Sequence, residues 1–418
     1  MTEMTEQQVR DEVRAFLKAK WDPNLSLIEW RNILVDSGWG APHYPEEWHG
    51  KGLPSAMSLV ADEVFREFDA VGAAKMGIRT LAGATILTHG SDPHKRTFLR
   101  GILTGEETWC QLFSEPGSGS DLAGATTRAD LKDGKWVING QKVWTTSAHH
   151  ADFGLLLART DWNEVKHKGL SYFILNMKQP GVDVNQLRQM NGHASFNQVF
   201  ITDAVIEPEF QVGELGEGWK VATTTLMHER RGADGARRYD QKIFKPGRIY
   251  QEYNEEIDHQ LAPYIWYPQR TGRVDLLIEH AKAAGRYDDP SIRQEIAKVL
   301  SLSKSAEWTA RRAREAQQQG RPQGPEGSIG KLAASIVARA ANRVHTQIAG
   351  PDAMLTGSDS PMDGIIAEIL VSTPAISIAG GTDEIQRNII SERILQMPKE
   401  QRSDTDRPFR EVPRNQLS

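Results

Sequence analysis

Between Gln111 and Ser147 the chain reads QLFSEPGSGSDLAGATTRADLKDGKWVINGQKVWTTS, and this stretch limits the fold more than any other. Asp133-Gly134 and Asn139-Gly140 are both hairpin turn signals, and Trp136-Val137-Ile138 between them is β-branched and aromatic. Sheet is expected here, with a turn at each dipeptide. Ahead of it, SEPGSGSD sets Gly117, Ser118 and Gly119 between Pro116 and Ser120-Asp121. Glycine lets a backbone approach a flat or phosphorylated ligand, because no Cβ intervenes. Neighbouring hydroxyl and N–H groups add hydrogen-bond donors. Trp144-Thr145-Thr146 closes the stretch with an aromatic beside two hydroxyls. A β-framework with a polar loop at one end and a Trp/Thr pair at the other suits a planar cofactor. On composition alone, a plain surface loop followed by a meander suits it too.

The hydrophobic period changes twice along the chain. Up to about residue 108 it is helical: Val9, Val13 and Phe16-Leu17 recur at helical spacing, and 55–69 and 93–104 behave alike. APHYPEEWHGKGLP (41–54) is a Pro/Gly-punctuated connector. From 111 to about 214 period-two runs take over: GLLLART (154–160), SYFILNM (171–177), GVDVNQL (181–187) and NQVFITDAVI (197–206). Their spacing suggests a small barrel or sandwich, and the lack of alternating helix and strand argues against a doubly wound sheet. Helical patterns return from Leu215, with Ile329, Leu332, Ile336, Ala340 and Val344 forming one stripe of a long helix. The expected divisions are 1–108 helical, 109–214 β, 215–400 helical and 401–418 a tail. The fold class is α+β, mostly α. The charged and aromatic segment 240–273 stands apart, as an insertion or a helix with an unusual partner.

At 418 residues the chain exceeds what one core usually supports. A formal net charge of −5 gives no electrostatic case for nucleic acid or an anionic membrane. A single cysteine, Cys110, excludes a disulfide framework and a thiolate metal cluster. No apolar run approaches the roughly 20 residues of a transmembrane helix. The polar start, MTEMTEQQVRDEVRAF, is unlike a leader, so a cytoplasmic location is expected. Neither G-x-G-x-x-G after a strand nor a Walker-type P-loop occurs, so any dinucleotide is held some other way. His89, His94, His149 and His150 lack metal-ligand context and are expected to be structural or exposed.

SEPGSGSDLAG followed by INGQKVWTTS resembles, in order and spacing, the central signature of the acyl-CoA dehydrogenase family. Those flavoproteins oxidise acyl-CoA thioesters to trans-2-enoyl-CoA. The resemblance implies an N-terminal α domain, a middle β-barrel or sandwich and a C-terminal four-helix bundle. It also implies FAD, an acyl-CoA substrate, an electron-transferring flavoprotein as acceptor, and a homodimer or homotetramer. Matching FAD positions are Phe113, Ser114, Gly119, Ser120, Trp144 and Thr146. Trp144 would lie by the isoalloxazine, and the Thr146 hydroxyl would reach its N5 edge. Gln347-Ile348-Ala349-Gly350 matches the family's Gln-x-x-Gly, and Thr382 and Glu384 match adenosine-side positions. The family's Arg-x-x-Phe-Gly is missing. GRYDDPSIRQ (285–294) stands there instead, with Arg286 as the surviving candidate.

Desaturation needs a base for the α-proton and a hydride acceptor at the β-carbon. In many family members the base is a carboxylate directly before a Gly-Thr near the C-terminus. The matching run here is SIAGGTDEIQRNIISERIL (377–395), and the residue before Gly381-Thr382 is Gly380. A second family position lies in a Glu-Arg pair on the helix after the β domain, as in isovaleryl-CoA and long-chain types. GWKVATTTLMHERRG (218–232) offers Glu229-Arg230 there. Helical spacing puts Glu229 on the face of Ala222 and Leu226, where apolar surroundings would raise its pKa. The resemblance then implies that Arg230 orients the base or binds substrate. It implies that a backbone N–H at Gly380 or Gly381, together with a flavin ribityl hydroxyl, meets the oxygen of the forming enolate, and that Ser120 also meets substrate. Asp383 and Gln386 have capping-box-like spacing at the start of a helix. A same-fold flavin oxidase or monooxygenase and a non-catalytic subunit of a hetero-oligomer are the rival readings.

Overall fold

The computed structural model describes residues 4–74, 77–239, 242–318, 324–401, 404 and 406–413, and the side chains of all of these except 230–239, 314 and 317–318. Five helices come first: α1 (Glu6–Lys20), α2 (Leu27–Asp36), α3 (Ser55–Glu67), α4 (Arg79–His89) and α5 (Asp92–Thr104). Thr5 with Gln8, and Ser26 with Glu29, form reciprocal capping boxes that satisfy the first free N–H groups of α1 and α2. Val9, Val13 and Leu17 are buried on one face of α1, as their spacing predicts.

Eight strands follow: β1 (Trp109–Leu112), β2 (Arg128–Lys132), β3 (Lys135–Thr146), β4 (Phe153–Arg159), β5 (Leu170–Asn176), β6 (Val182–Leu187), β7 (Phe196–Ile206) and β8 (Gln211–Val212). They form one sheet in the order β6-β7-β3-β2-β4-β5-β8, with β1 parallel to β4. Residues of β4 and β5 share a core with residues of β3 and β7, so the sheet folds over on itself. Strands β4 and β5 are buried on both faces. Leu155, Leu157, Tyr172 and Ile174 join one core with the helices, while Leu156, Ala158, Phe173 and Leu175 join the core within the sheet. Period two is real there, but it separates two cores rather than core from water.

One expected hairpin is present and the other is not. Asp133 and Gly134, with φ of 49° and 79°, turn the chain between β2 and β3. Asn139-Gly140 instead lies inside β3, where pairing with β7 passes from Ile138–Ala204 to Gly140–Ile201, leaving an extra residue in β7. Asn139 is tied across the strands: its Nδ2 donates to Asp203 Oδ1 at 2.9 Å, and its Oδ1 accepts the Asp203 N–H at 3.0 Å. A Cβ on Gly140 would stand 2.5 Å from Thr127 Oγ1, so glycine serves close approach rather than a turn.

The remaining helices are α6 (Gly218–Tyr239), α7 (Arg248–Leu261), α8 (Tyr267–Arg270), α9 (Leu277–Ala283), α10 (Pro290–Gln318), α11 (Gly327–Ala349), α12 (Ile365–Ser372) and α13 (Asp383–Ile389). The chain forms two compact units. The first comprises Met1–Leu187, Ala194–Pro263 and Ser403–Ser418; the second comprises Arg188–His193 and Tyr264–Arg402. Helices α6 and α7, placed by sequence in the C-terminal helical part, thus pack in the first unit. Val221 and Ala222 of α6 enter the core shared by helices and sheet, while Ile249 and Tyr250 of α7 enter the core of α1–α3. In the second unit the buried stripe of α11 is Ser335, Ala338, Ala341, Val344, His345 and Ile348. The predicted stripe is off by part of a turn, and Ile336 is 39% exposed.

The segment 240–273 finds its partner through α7. Glu256 accepts from Arg31 at 2.5 and 3.1 Å and from Arg79 at 2.8 Å. Glu252 accepts the Leu27 N–H at 2.6 Å. Burial would raise the Glu256 pKa, but both guanidiniums outweigh it and hold the carboxylate below its usual range. Glu256→Gln leaves two nearly buried guanidiniums short of their anion, so unfolding free energy should fall by about 3–5 kcal/mol. Urea denaturation at neutral pH measures this, and the difference should shrink as pH falls through the folded pKa of Glu256.

Candidate active site

The SEPGSGSD loop is fixed from beneath by two residues whose importance the sequence hides. Lys142 of β3 is fully buried, and its Nζ donates to Glu115 Oε1 at 2.8 Å, Leu157 O at 2.7 Å and Phe113 O at 3.1 Å. Glu115 also accepts the Thr126 N–H at 2.7 Å, the Thr126 hydroxyl at 2.9 Å and the Thr127 N–H at 2.8 Å. Burial alone would raise the Glu115 pKa. The Lys142 charge and these hydrogen bonds outweigh it and hold the carboxylate down at about 2. The Val143 N–H meets Ser114 O at 2.8 Å, completing the join of loop to strand. The signals that could reveal the pair are a lysine amid buried β3 positions and one carboxylate in a Gly/Ser loop.

Above this anchor the loop is open. A Cβ at Gly117 or Gly119 would meet nothing within 4 Å, and Gly119 and Ser120 are exposed. The Ser118 hydroxyl turns inward, donating to Asp121 O at 2.6 Å. Phe113 is buried, edge-on to Tyr172 at 5.8 Å. A second bulge in β3, between Lys142 and Thr145, turns Trp144 outward. Trp144 takes φ 62° and is 55% exposed, edge-on to Phe196 at 5.7 Å. For a bulky residue this left-handed backbone stores about 1–3 kcal/mol, which the flanking pairs must sustain. Thr146 pairs with Phe196 at the strand end, half-buried. A planar cofactor with a phosphate arm fits these residues: open glycines with hydroxyl and amide donors, beside an exposed aromatic wall.

Helix α6 carries Glu229. Its buried face is pinned where Thr225 Oγ1 lies 2.9 Å from Thr85 Oγ1 and 3.1 Å from the Tyr172 hydroxyl. Ala222 is buried, Leu226 half-buried and Glu229 exposed. The expected wholly apolar setting is therefore absent: the stripe leaves the core just where the carboxylate stands. Gln111 Nε2 donates to Glu229 Oε2 at 3.5 Å, which puts the carboxylate two residues from Phe113 and the head of the loop. The Arg230 side chain lies outside the described residues.

The other predicted residues belong to the second unit. Gly380 and Gly381 have φ of 68° and 87°, and a Cβ at Gly380 would meet nothing within 4 Å. Thr382, not Asp383, caps α13, accepting the Ile385 N–H. Gln386 donates at 3.2 Å to the carbonyls of both Gly380 and Gly381, so the expected capping box is replaced by a glutamine that clasps the glycine turn. Asp383 is instead buried beside Lys331 and Arg339, and Glu384 is exposed. Arg286 Nη1 donates to Gln347 O at 2.7 Å, and both residues line one open cleft with Pro290 and Glu295. Gly350, with φ 60°, ends α11. Two residues nominated separately for nucleotide contacts, Arg286 and Gln347, are thus neighbours. The histidines have structural partners: His89 meets Thr224, His94 meets Ser91 and His149 meets Asn197.

Comparisons with known proteins agree along the chain. Models of the acyl-CoA dehydrogenase N-terminal, middle and C-terminal domains match residues 3–106, 110–204 and 272–395. Acyl-CoA dehydrogenase IpdE1 of Mycobacterium tuberculosis is 33% identical over 89% of this chain and 88% of its own length. The mitochondrial short-chain specific acyl-CoA dehydrogenase of Rattus norvegicus is 27% identical over 94% of this chain and 90% of its own. Among solved structures, the Tcur3481-Tcur3483 steroid ACAD superposes with a TM-score of 0.64 at 22% identity, covering 94% of this chain and 98% of that one. The ChsE4-ChsE5 complex of Mycobacterium tuberculosis gives 0.60 at 24% identity, covering 96% of this chain and 100% of that one. These two likenesses establish the fold.

The buried pair generates a test. Lys142→Met strands Glu115 in an apolar setting and should cost about 3–5 kcal/mol of stability, part of which Glu115→Gln in the same chain should recover. The depressed Glu115 pKa implies stability that is complete above the ordinary carboxylate value. It should be lost as pH falls from ~4.3 toward about 2. Denaturant titrations across that window should show the loss in the parent and not in the double variant.

Proposed function

The chain belongs to the acyl-CoA dehydrogenase family, and on that footing we propose that it removes the α and β hydrogens of an acyl-CoA thioester, with Glu229 as base and FAD as hydride acceptor. The observation that carries the assignment is Glu229 standing beside Gln111 at the head of the open loop, while Gly380 leaves the commoner base position without a carboxylate. Bound flavin supplies an acceptor for the β-hydride, and the chain supplies the rest. Glu229 Oε1 or Oε2 takes the α-proton. Because Glu229 is exposed in the free chain, the acyl group itself must displace water from the carboxylate. A backbone N–H at Gly380 or Gly381 would polarise the thioester carbonyl, which acidifies the α-carbon. Phe113, Ser114, Gly119, Ser120, Trp144 and Thr146 hold the flavin at the loop and strand end. Arg286, Gln347, Gly350, Thr382 and Glu384 contact its nucleotide portion. Arg230 would orient the base or bind substrate, and an electron-transferring flavoprotein would be the electron acceptor.

The open space at Gly380 suits bulky, ring-bearing acyl groups, and one solved relative of the same fold is a steroid ACAD. A second reading has support of its own. Arg-x-x-Phe-Gly is absent, and the ChsE4-ChsE5 relative is a complex of two differently named chains. This chain would then act within a hetero-oligomer. Purification alone and with candidate partner chains, followed by flavin content and mass, separates that reading from a homo-oligomer.

Glu229→Gln keeps size and removes the proton acceptor. Flavin reduction by a reactive thioester should slow at least ~10²-fold, the lower bound for general base catalysis. Flavin content and melting temperature should hold. Reduction at the parental rate would place the base elsewhere. Thr146→Val should weaken FAD retention by about 0.5–1.5 kcal/mol, the worth of one neutral hydrogen bond, with folding intact. Equilibrium dialysis of flavin checks it.

A further inference from the structure

Arg159, the last residue of β4, is fully buried. Its guanidinium donates to Ala123 O at 2.7 Å, Ala125 O at 3.1 Å and Lys166 O at 3.1 Å. Two of these carbonyls belong to the segment that leaves the SEPGSGSD loop. The flat face of the same guanidinium is covered by Phe409 from the C-terminal tail, with the cation 3.3 Å from the ring centroid and the ring 1% exposed. A second link runs parallel to the first. The buried Lys166 ammonium meets Asp121 of the loop at 2.6 Å and Asp404 of the tail at 2.5 Å. The tail backbone is itself held: the Phe409 N–H donates to Glu164 O at 2.9 Å, the Arg410 N–H to Trp162 O at 3.0 Å, and Pro408 bridges Val165.

A guanidinium held in its plane by carbonyls still has two faces open to water. An aromatic ring over one face excludes water and strengthens the in-plane hydrogen bonds, since the local dielectric falls. Phe409 therefore bears on Ala123 and Ala125 through Arg159, and Asp404 bears on Asp121 through Lys166. We propose that the C-terminal tail is a strap whose Phe409 and Asp404 are positioning residues: they set the backbone of residues 121–125 and, through it, the cofactor loop. The effect on flavin rests on the functional reading above, whereas the effect on the loop does not.

Four chains test it: the parent, Phe409→Leu, Asp404→Asn, and a chain ending after Gln401. Phe409→Leu keeps apolar volume and loses the aromatic face, so it guards against simple misfolding. In flavin-free protein, amide exchange of residues 117–125 should quicken at least ~10-fold in the shortened chain and less in each substitution, with β3 and β7 amides unmoved. Added synthetic peptide of residues 404–413 should slow that exchange again. FAD affinity should weaken about tenfold in the shortened chain, the loss of one desolvated cation contact. Parental exchange of 117–125 in the shortened chain overturns the strap. So does loosening that spreads equally over the whole first unit, which would make the tail ordinary packing. Should even the parent take up no FAD, the functional reading falls, and the exchange result still decides the strap.

Discussion

The buried ion pair between Lys142 and Glu115 is the constraint on which the site depends. One ammonium holds a carboxylate and two carbonyls from two separate stretches of chain, and that carboxylate then takes the N–H groups of Thr126 and Thr127. Replacing such a pair by apolar residues is often neutral for stability. What it contributes here is geometry. An open Gly/Ser loop has no packing of its own to define it, so its shape must come from polar bonds of fixed direction beneath.

Much of the architecture was legible because it follows local rules. Spaced aliphatics at Val9, Val13 and Leu17 specify a helix, Asp133-Gly134 specifies a turn, and Gly117 with Gly119 marks a backbone free of side chains. The failures share a cause, which is dependence on distant residues. Asn139-Gly140 has the same local chemistry as a turn, and Asp203 across the sheet decides that it stays in a strand. The face of α11 was misjudged because small residues such as Ser335, Ala338 and Ala341 are buried there while the larger Ile336 is not. Lys142 reads as a surface residue until Glu115 and the carbonyls of Phe113 and Leu157 are brought to it.

The same holds for α7. Nothing in its sequence names Arg31 and Arg79 as partners of Glu256, since they lie 225 and 177 positions away. Charge in that helix reads as solvation, yet one carboxylate joins α2, α4 and α7. The candidate base shows the opposite error. Glu229 was placed on the correct helical stripe, but a stripe read from sequence has no end, and here the core stops one turn before it.

The two irregularities between β3 and β7 have a joint consequence. The first leaves a residue over in β7, the second leaves one over in β3, and beyond both of them Thr145–Asn197 returns to the phase that held at Ile138–Ala204. The intervening segment, which includes Lys142, is displaced by one step relative to both flanks. Each irregularity is one surplus residue opposite a shorter partner segment, so its loss leaves the pairs on either side of it in place. A deletion between Gly140 and Lys142, or between Val199 and Ile201, would instead leave the displaced segment one residue short of its partner and shift its pairs. Length variation among relatives should therefore appear in these two strands at the irregularities and not between them.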